Sequence, residues 1–413
     1  MNPAPASSSN LSPAQKWVAV TAYFPPTVGG SSTVAANLIS TFQPASVHVI
    51  SERPATIGGR HTAEPPPGVS ITRFGLPPTL HRLPFARYWI RWGRYGLVPA
   101  VRRAILQALS QGAQRIVAWY PSWPFLLAAA QAARQTRVPL FTYHMDAPIP
   151  WQQAPWPDRF FFRHRQLSIL QNATARLVIS EALAEDFEER FNLTSTVIRH
   201  GLDLRLYPAA NPEPLASHNP LRIVHTGVVE HLQYESLRRI IDAVADHPGL
   251  RAEIVLSTPN RREDLAACGL DQPHVQILAL PTHEVRNLQR SAHVLLAVLP
   301  FFGSIKKLDL TAFPTKLVEY MAAGVPILVH APPESFLAKH VRRYRYALSV
   351  DKPDPAALIT ALKALQEDAT LRHQLARRAR HTAEELYALP RVARAFADAC
   401  ALSPSILKPE FSS

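Results

Sequence analysis

Residues 310–331 read LTAFPTKLVEYMAAGVPILVHA, and the punctuation of this stretch decides the fold. Pro314 suits a first helical turn, where its missing N–H costs nothing. Gly324 suits the left-handed residue that ends a helix, and Pro326 forbids continuation. Ile327, Leu328 and Val329 then form a short apolar run of the kind that becomes a buried strand. Loop, helix and strand in this order are the repeat of an α/β protein with a parallel sheet. The start of that helix carries Lys316, and unpaired amides beside a lysine attract phosphate. Glu319 stands one turn further in, where a carboxylate can accept hydrogen bonds from a ribose diol. The ordinary alternative is a surface i,i+3 ion pair between Lys316 and Glu319.

The same repeat extends outward in both directions. Residues 16–23, KWVAVTAY, predict a first buried strand, followed by a loop with Gly29 and Gly30 and a helix over 34–42. The loop is not G-x-G-x-x-G, which argues against a dinucleotide fingerprint. Paired glycines let a ligand approach the backbone, or they serve a turn that needs positive φ. Further strands are expected at 47–51, 69–74, 115–119, 140–144, 176–179 and 196–198. Helices are expected at 100–110, 122–134, 158–171 and 181–191, the last with Ser180 as N-cap. Residues 76–99 read as irregular. A proline-rich loop over 207–220 leads to a second copy of the pattern: strand 222–226, a turn at Gly227, helix 234–245, and strands at 251–257, 275–278 and 294–298. A short segment at 346–350 and helices at 355–367, 371–387 and 391–402 complete it.

The chain has 413 residues, which suits two domains better than one. The expected division is a disordered leader over 1–15, domains over 16–205 and 206–388, and a terminal helix and tail over 389–413. No apolar run reaches the roughly 18–20 residues needed to span a bilayer. The first residues, MNPAPASSSNLSPAQ, lack the charged and apolar regions of a signal peptide. Cys268 and Cys400 have no metal-ligand spacing, which fits free thiols in a reducing, cytoplasmic setting. The net charge of +13 is uneven. Between Glu64 and Asp146 there is no acidic residue, while arginines recur at 73, 82, 87, 91, 94, 102 and 103. Such asymmetry points to an anionic partner, either a membrane, a nucleic acid or a phosphorylated acceptor.

The run P-T-K-L-V-E-Y-M-A-A-G-V-P, Pro314 to Pro326, resembles the donor-site motif of GT-B glycosyltransferases of the family 4 type. The resemblance implies an α/β GT-B fold, two Rossmann-like doubly wound domains facing across a cleft. It implies a nucleotide-sugar donor as substrate, no cofactor, and a glycan, lipid-linked or other cell-envelope acceptor. Lys316 and Glu319 would act on the donor, with Pro314 and Thr315 beside them. Many members carry a further glutamate eight residues before Glu319, and here that position is Thr311. Gly29 and Gly30 would face the donor phosphates. His200-Gly201-Leu202-Asp203 resembles the family hinge, and the terminal helix would cross back to the first domain.

His144, at a strand end in FTYHMDAP, would serve the sugar or acceptor, with Asp146 beside it. The ordinary alternative for each is a backbone-satisfied strand end and a turn cap. Related enzymes carry an Arg and a Lys after the first strand of the second domain. Here Gly227 is followed by Glu230, so Arg262 or Arg261 and Lys316 are the expected substitutes, with Lys306 and Lys307 also near in sequence. No metal site is expected, because Asp309 and His330 lack partners at ligand spacing and D-x-D is absent. The mechanism implied is metal-free transfer with retention. The basic aromatic stretch 73–103 is expected at an anionic membrane surface, making the protein cytoplasmic and peripheral. Two other readings stand beside this one. A GT-B chain without turnover would bind glycans or partners. A nucleic-acid-binding protein would use 73–103, although no nucleic-acid module is recognisable.

Overall fold

A computed structural model describes residues 15–412 except 28, 54–62, 78, 81–84, 150–152, 163–164, 209–219, 302–310 and 312. The expected leader therefore lies almost wholly outside the described residues, as do Lys306, Lys307 and Asp309. The first sheet is built from β1 (Lys16–Thr21), β2 (Val47–Glu52), β3 (Ser70–Phe74), β4 (Ala113–Tyr120), β5 (Leu140–His144), β6 (Ala175–Val178) and β7 (Thr196–Val197). The second contains β8 (Leu221–Thr226), β9 (Ala252–Ser257), β10 (Val275–Leu278), β11 (Val294–Val298), β12 (Ile327–His330) and β13 (Leu348–Val350). Their orders are β3-β2-β1-β4-β5-β6-β7 and β10-β9-β8-β11-β12-β13, and all pairs are parallel.

Strand β1 shows why these segments are apolar throughout. Trp17 and Ala19 face one core, while Val18 and Val20 face another. A strand alternates sides with period two, so burial on both faces demands a continuous apolar run. The first of these cores also holds Val392, Ala393, Phe396 and Ala397 of the helix Leu389–Ala399, packed with Trp17, Phe42 and Trp119. The last long helix of the chain thus returns to the first sheet.

In both sheets the strand order reverses beside the first strand, between β1 and β4 and between β8 and β11. Loops leaving the strand ends at such a reversal diverge and leave a crevice for ligands. The two crevices are brought together by contacts at the hinge. Asn37, on the helix Gly30–Ser40, donates from Nδ2 to the Gly201 carbonyl at 3.2 Å. Leu202 N–H donates to Tyr387 O at 2.8 Å, and Leu389 N–H returns a bond to Leu202 O at 3.0 Å. Gly201 has no room for a side chain, since a Cβ there would lie 2.7 Å from Leu389 Cδ1.

Several segments differ from the sequence expectation. The stretch expected to be irregular holds a helix, Ala86–Gly96, directly before Val98–Ser110. Its glycines argue against a helix, yet tertiary contacts hold it. Arg94 Nε meets Glu52 Oε1 at 2.9 Å and Tyr95 donates to Asp158 Oδ1 at 2.7 Å. Gly93 lets Leu76 approach to 3.0 Å of where a Cβ would stand. The helix expected over 158–171 is described as two, Trp156–Phe162 and Gln166–Asn172. A helix over Phe336–Tyr344, capped by Ser335 accepting from Ala338 N–H at 3.2 Å, was not anticipated.

Candidate functional site

The helix Thr315–Ala323 starts at Pro314, ends at Gly324 with φ 65°, and has no side-chain cap at its N-terminus among the described residues. In its first turn Leu317 N–H donates to Pro314 O at 2.9 Å, and the leading amides of a helix have no intrahelical acceptor. Lys316 folds back from this turn over the end of β8. Its Nζ lies 3.1 Å from His225 Nε2, and a Cβ on Gly227 would be 3.5 Å from it. Gly227, at φ 93°, is confined to the region that favours glycine, and its bare backbone is what the lysine crosses. Burial pushes the Lys316 ammonium down to about 8, while Glu230 and Glu319 hold it up.

Glu319 sits one turn further in, and its Oε2 accepts from Gln289 Nε2 at 3.0 Å. The same amide reaches Thr226 Oγ1 at 3.1 Å, and Thr226 N–H donates to the Tyr320 hydroxyl at 2.8 Å. Burial raises the Glu319 carboxyl above its ordinary range, and the Gln289 bond, Lys316 and Arg286 oppose that rise. Both Lys316 and Glu319 remain partly accessible to solvent. A cation and a hydrogen-bonded carboxylate, one helical turn apart on a crevice wall, match the charges of a phosphate and the hydroxyls of a sugar.

The first domain meets this group through its glycine loop. A Cβ on Gly30 would stand 3.1 Å from Thr315 Oγ1, so the missing side chain permits this close approach. Gly29, at φ 151°, has nothing within 4 Å of its Cβ position and leaves open space there. Asp146 is accessible to solvent, yet the surrounding protein and Glu230 of the second domain push its carboxyl upward. A residue on the wall of a cleft has both properties. Gly30, Thr315, Lys316, Glu319 and Gly227 are thus gathered, with Asp146 electrostatically coupled to the loop that follows Gly227.

Other expected residues are placed elsewhere. His144 is wholly buried between Tyr120 and Phe187, with ring centroids 5.4 and 4.8 Å away. Among the described residues neither ring nitrogen has a hydrogen-bond partner, and burial drives its pKa down to about 3. As placed, its ring is packed among protein side chains. The Arg262 guanidinium is engaged by Asp271, with Nε–Oδ2 at 2.7 Å and Nη2–Oδ1 at 2.9 Å, on the exposed surface. Arg261 pairs likewise with Glu263. Thr311 lines a cavity of about 360 Å³ between the helices Glu181–Phe191 and Phe336–Tyr344, whose walls include neither Lys316 nor Glu319.

Three members of the group were not legible in the sequence. His225 ends a strand whose pattern reads as core, Gln289 lies in a helix of mixed polarity, and Tyr320 was read only as part of the motif. The signal that could have found His225 and Gln289 is a polar residue at a position that periodicity assigns to the interior. Such a residue needs a buried partner.

Two parallel sheets of this order, with a lysine and a carboxylate at the reversal of the second and a glycine loop of the first against them, define the GT-B architecture. Residues 28–206 match the model of Glycosyltransferase Family 4, and residues 234–382 match that of Glycosyl transferases group 1. The chain belongs to the family 4-like GT-B glycosyltransferases. Among solved structures it is similar to HepE of Anabaena in complex with UDP, at 15% identity and a TM-score of 0.66, covering 94% of this chain and 100% of that one. It is also similar to a sucrose-phosphate synthase of Thermosynechococcus elongatus, at 18% identity and a TM-score of 0.63, over 93% and 98% of the two chains. A UDP-forming trehalose-phosphate synthase of Burkholderia vietnamiensis shares 13% identity with a TM-score of 0.61, over 94% and 100%. No curated protein matches the chain by sequence.

Proposed function

We propose that this protein transfers a sugar from a nucleotide-diphosphate sugar to a glycan, a lipid-linked acceptor or another cell-envelope acceptor. The observation that carries the reading is the Lys316–Glu319 pair at the strand reversal, beside an uncapped helix N-terminus. In the scheme, Glu319 holds the ribose while Lys316 and the helix amides meet the diphosphate. The bond from the anomeric carbon to the diphosphate oxygen breaks, and the bond to the acceptor oxygen forms on the same face. The departing phosphate oxygen takes the acceptor proton, so configuration is retained and no protein nucleophile is needed. The charge developing on the leaving group is met by fixed dipoles and an ammonium in place of a divalent ion. His144 and Asp146 serve the sugar and acceptor, His144 once binding has opened its surroundings. HepE in complex with UDP and with UDP-glucose supports UDP as the first base to test. Release of nucleoside diphosphate from UDP-, GDP- or ADP-sugars tests the reading. A folded protein that binds the nucleotide but releases none would be a binding module instead.

We place this enzyme in the cytoplasm, peripheral on an anionic membrane. No described helix is long and apolar enough to cross one. The helix Ala86–Gly96 packs on Trp156–Phe162, and together they leave Phe85, Trp89, Trp156 and Phe160 at 85%, 48%, 53% and 66% exposure. Tyr88 stacks on Trp156 with centroids 6.4 Å apart, and Trp156 on Phe160 at 6.1 Å, so the rings form one surface. Arg102, Arg103, Arg159 and Arg165 are exposed, and none has a carboxylate within 4 Å among the described residues. Aromatic rings favour the headgroup boundary, and each arginine near anionic lipid contributes about 1 kcal/mol. Sedimentation with anionic vesicles at low salt should carry the protein down, and Trp89→Ser with Trp156→Ser should leave it in the supernatant. Equal recovery in the supernatant with anionic and neutral vesicles at all salt concentrations would favour a soluble acceptor.

A further inference from the structure

His225 is a buried histidine whose protonation state is fixed by its neighbours. Its Nδ1 lies 2.9 Å from the Leu296 carbonyl oxygen, which can only accept. Nδ1 therefore carries the hydrogen, and Nε2 is left as the acceptor. Lys316 Nζ lies 3.1 Å away and, when charged, has no lone pair of its own, so the ammonium donates to Nε2. A charged imidazole would instead turn an N–H toward a cation, and burial together with Lys316 drives the His225 pKa well down. The chain of bonds runs from the backbone of β11 through the imidazole to the lysine.

We infer that His225 is the positioning residue for Lys316, fixing its ammonium over Gly227 with its other hydrogens turned to the donor diphosphate. The inference rests on the reading of Lys316 as a diphosphate ligand. A lysine side chain has four flexible carbons, and an ammonium on a crevice wall samples many directions unless something holds it. Gly227, which the lysine crosses, has no side chain to supply that hold. The charged groups that face Lys316 are Glu230, on the loop after β8, and Glu319, on its own helix. Both attract the ammonium, but neither is within salt-bridge distance of it among the described residues. Among the described residues, His225 is the group hydrogen-bonded to Lys316, and it fixes direction without neutralising charge, which leaves the full cation for the ligand. A hydrogen bond accepted from the ammonium also favours the charged lysine over the neutral one.

The experiment is a titration of UDP into the full chain from pH 6 to pH 9.5, comparing wild type with His225→Leu and His225→Gln. In the wild type, affinity should fall as pH rises through about 8, where the free Lys316 loses its proton. His225→Leu should bind UDP about tenfold more weakly at pH 7, the size of a lost charge-assisted hydrogen bond. Its alkaline fall should also begin at lower pH. The Gln side chain can accept from Lys316 and donate to Leu296 O, so His225→Gln should restore both affinity and midpoint. Thermal melts confirm that each variant folds, and the Gln variant keeps the test alive should Leu fail. A folded Leu variant with unchanged affinity and midpoint would overturn the inference. So would a uniform loss with an unmoved midpoint, or a folded Gln variant no better than Leu. A wild type that binds no nucleotide at any pH would instead remove the donor-site reading beneath it.

Discussion

The two walls of the cleft are prepared to different degrees. On the second domain's side, Lys316, Glu319, His225 and Thr226 each have a hydrogen bond to another member or to backbone. On the first domain's side, His144 has none among the described residues, and burial, then the charge of Glu230, push the Asp146 carboxyl upward. The Lys316–Glu319 side is held by hydrogen bonds within the protein. The opposite side holds the His144 imidazole in an enclosure of Tyr120 and Phe187, where unpaired nitrogens are costly.

The largest effect that would sharpen this contrast belongs to His144. His144→Leu should leave UDP affinity unchanged and the fold no less stable, since leucine fills the enclosure without unpaired nitrogens. Turnover should fall about 10²-fold, the lower range for a positioned proton-handling group. Steady-state kinetics beside thermal melts check this. Full turnover in a folded Leu variant would make the two walls differ only in packing, with His144 a core residue.

At the other end stands Arg262. Its guanidinium is held by Asp271 on open surface, so Arg262→Ala should change neither UDP affinity nor turnover beyond measurement error. A clear loss of UDP affinity in that variant would return it to the site and enlarge the second wall. The contrast between Arg262 and Lys316 tests whether the lysine and helix N-terminus meet the diphosphate without a second cation.

Much of this was legible in the sequence, and for physical reasons. Gly324 and Pro326 gave the end of the motif helix, because only particular residues suit a left-handed cap and an N–H-free position. The strand over 294–298, VLLAV, was readable because burial on both faces leaves an unbroken apolar run. What escaped reading depends on distant contacts. The helix Ala86–Gly96 has two glycines and is held through Glu52 and Asp158, residues far along the chain. Arg262 looked like a phosphate ligand by its position after β9, but its position could not show Asp271 waiting nine residues on. His225 looked like strand interior, and it is, with its function lying in the one nitrogen that faces Lys316. His144 was placed correctly at the strand end, while its enclosure by Tyr120 and Phe187 is a fact of packing that spacing does not carry.

The central claim is that the second domain binds the donor nucleotide through Lys316 and Glu319. Calorimetry of UDP, GDP and ADP binding to the wild type, Lys316→Ala and Glu319→Ala tests it most directly. The account predicts that one diphosphate binds the wild type and that each substitution weakens it by about 1–3 kcal/mol, the range for a lost hydrogen bond to a charged group. Unchanged affinity in both folded variants would contradict it.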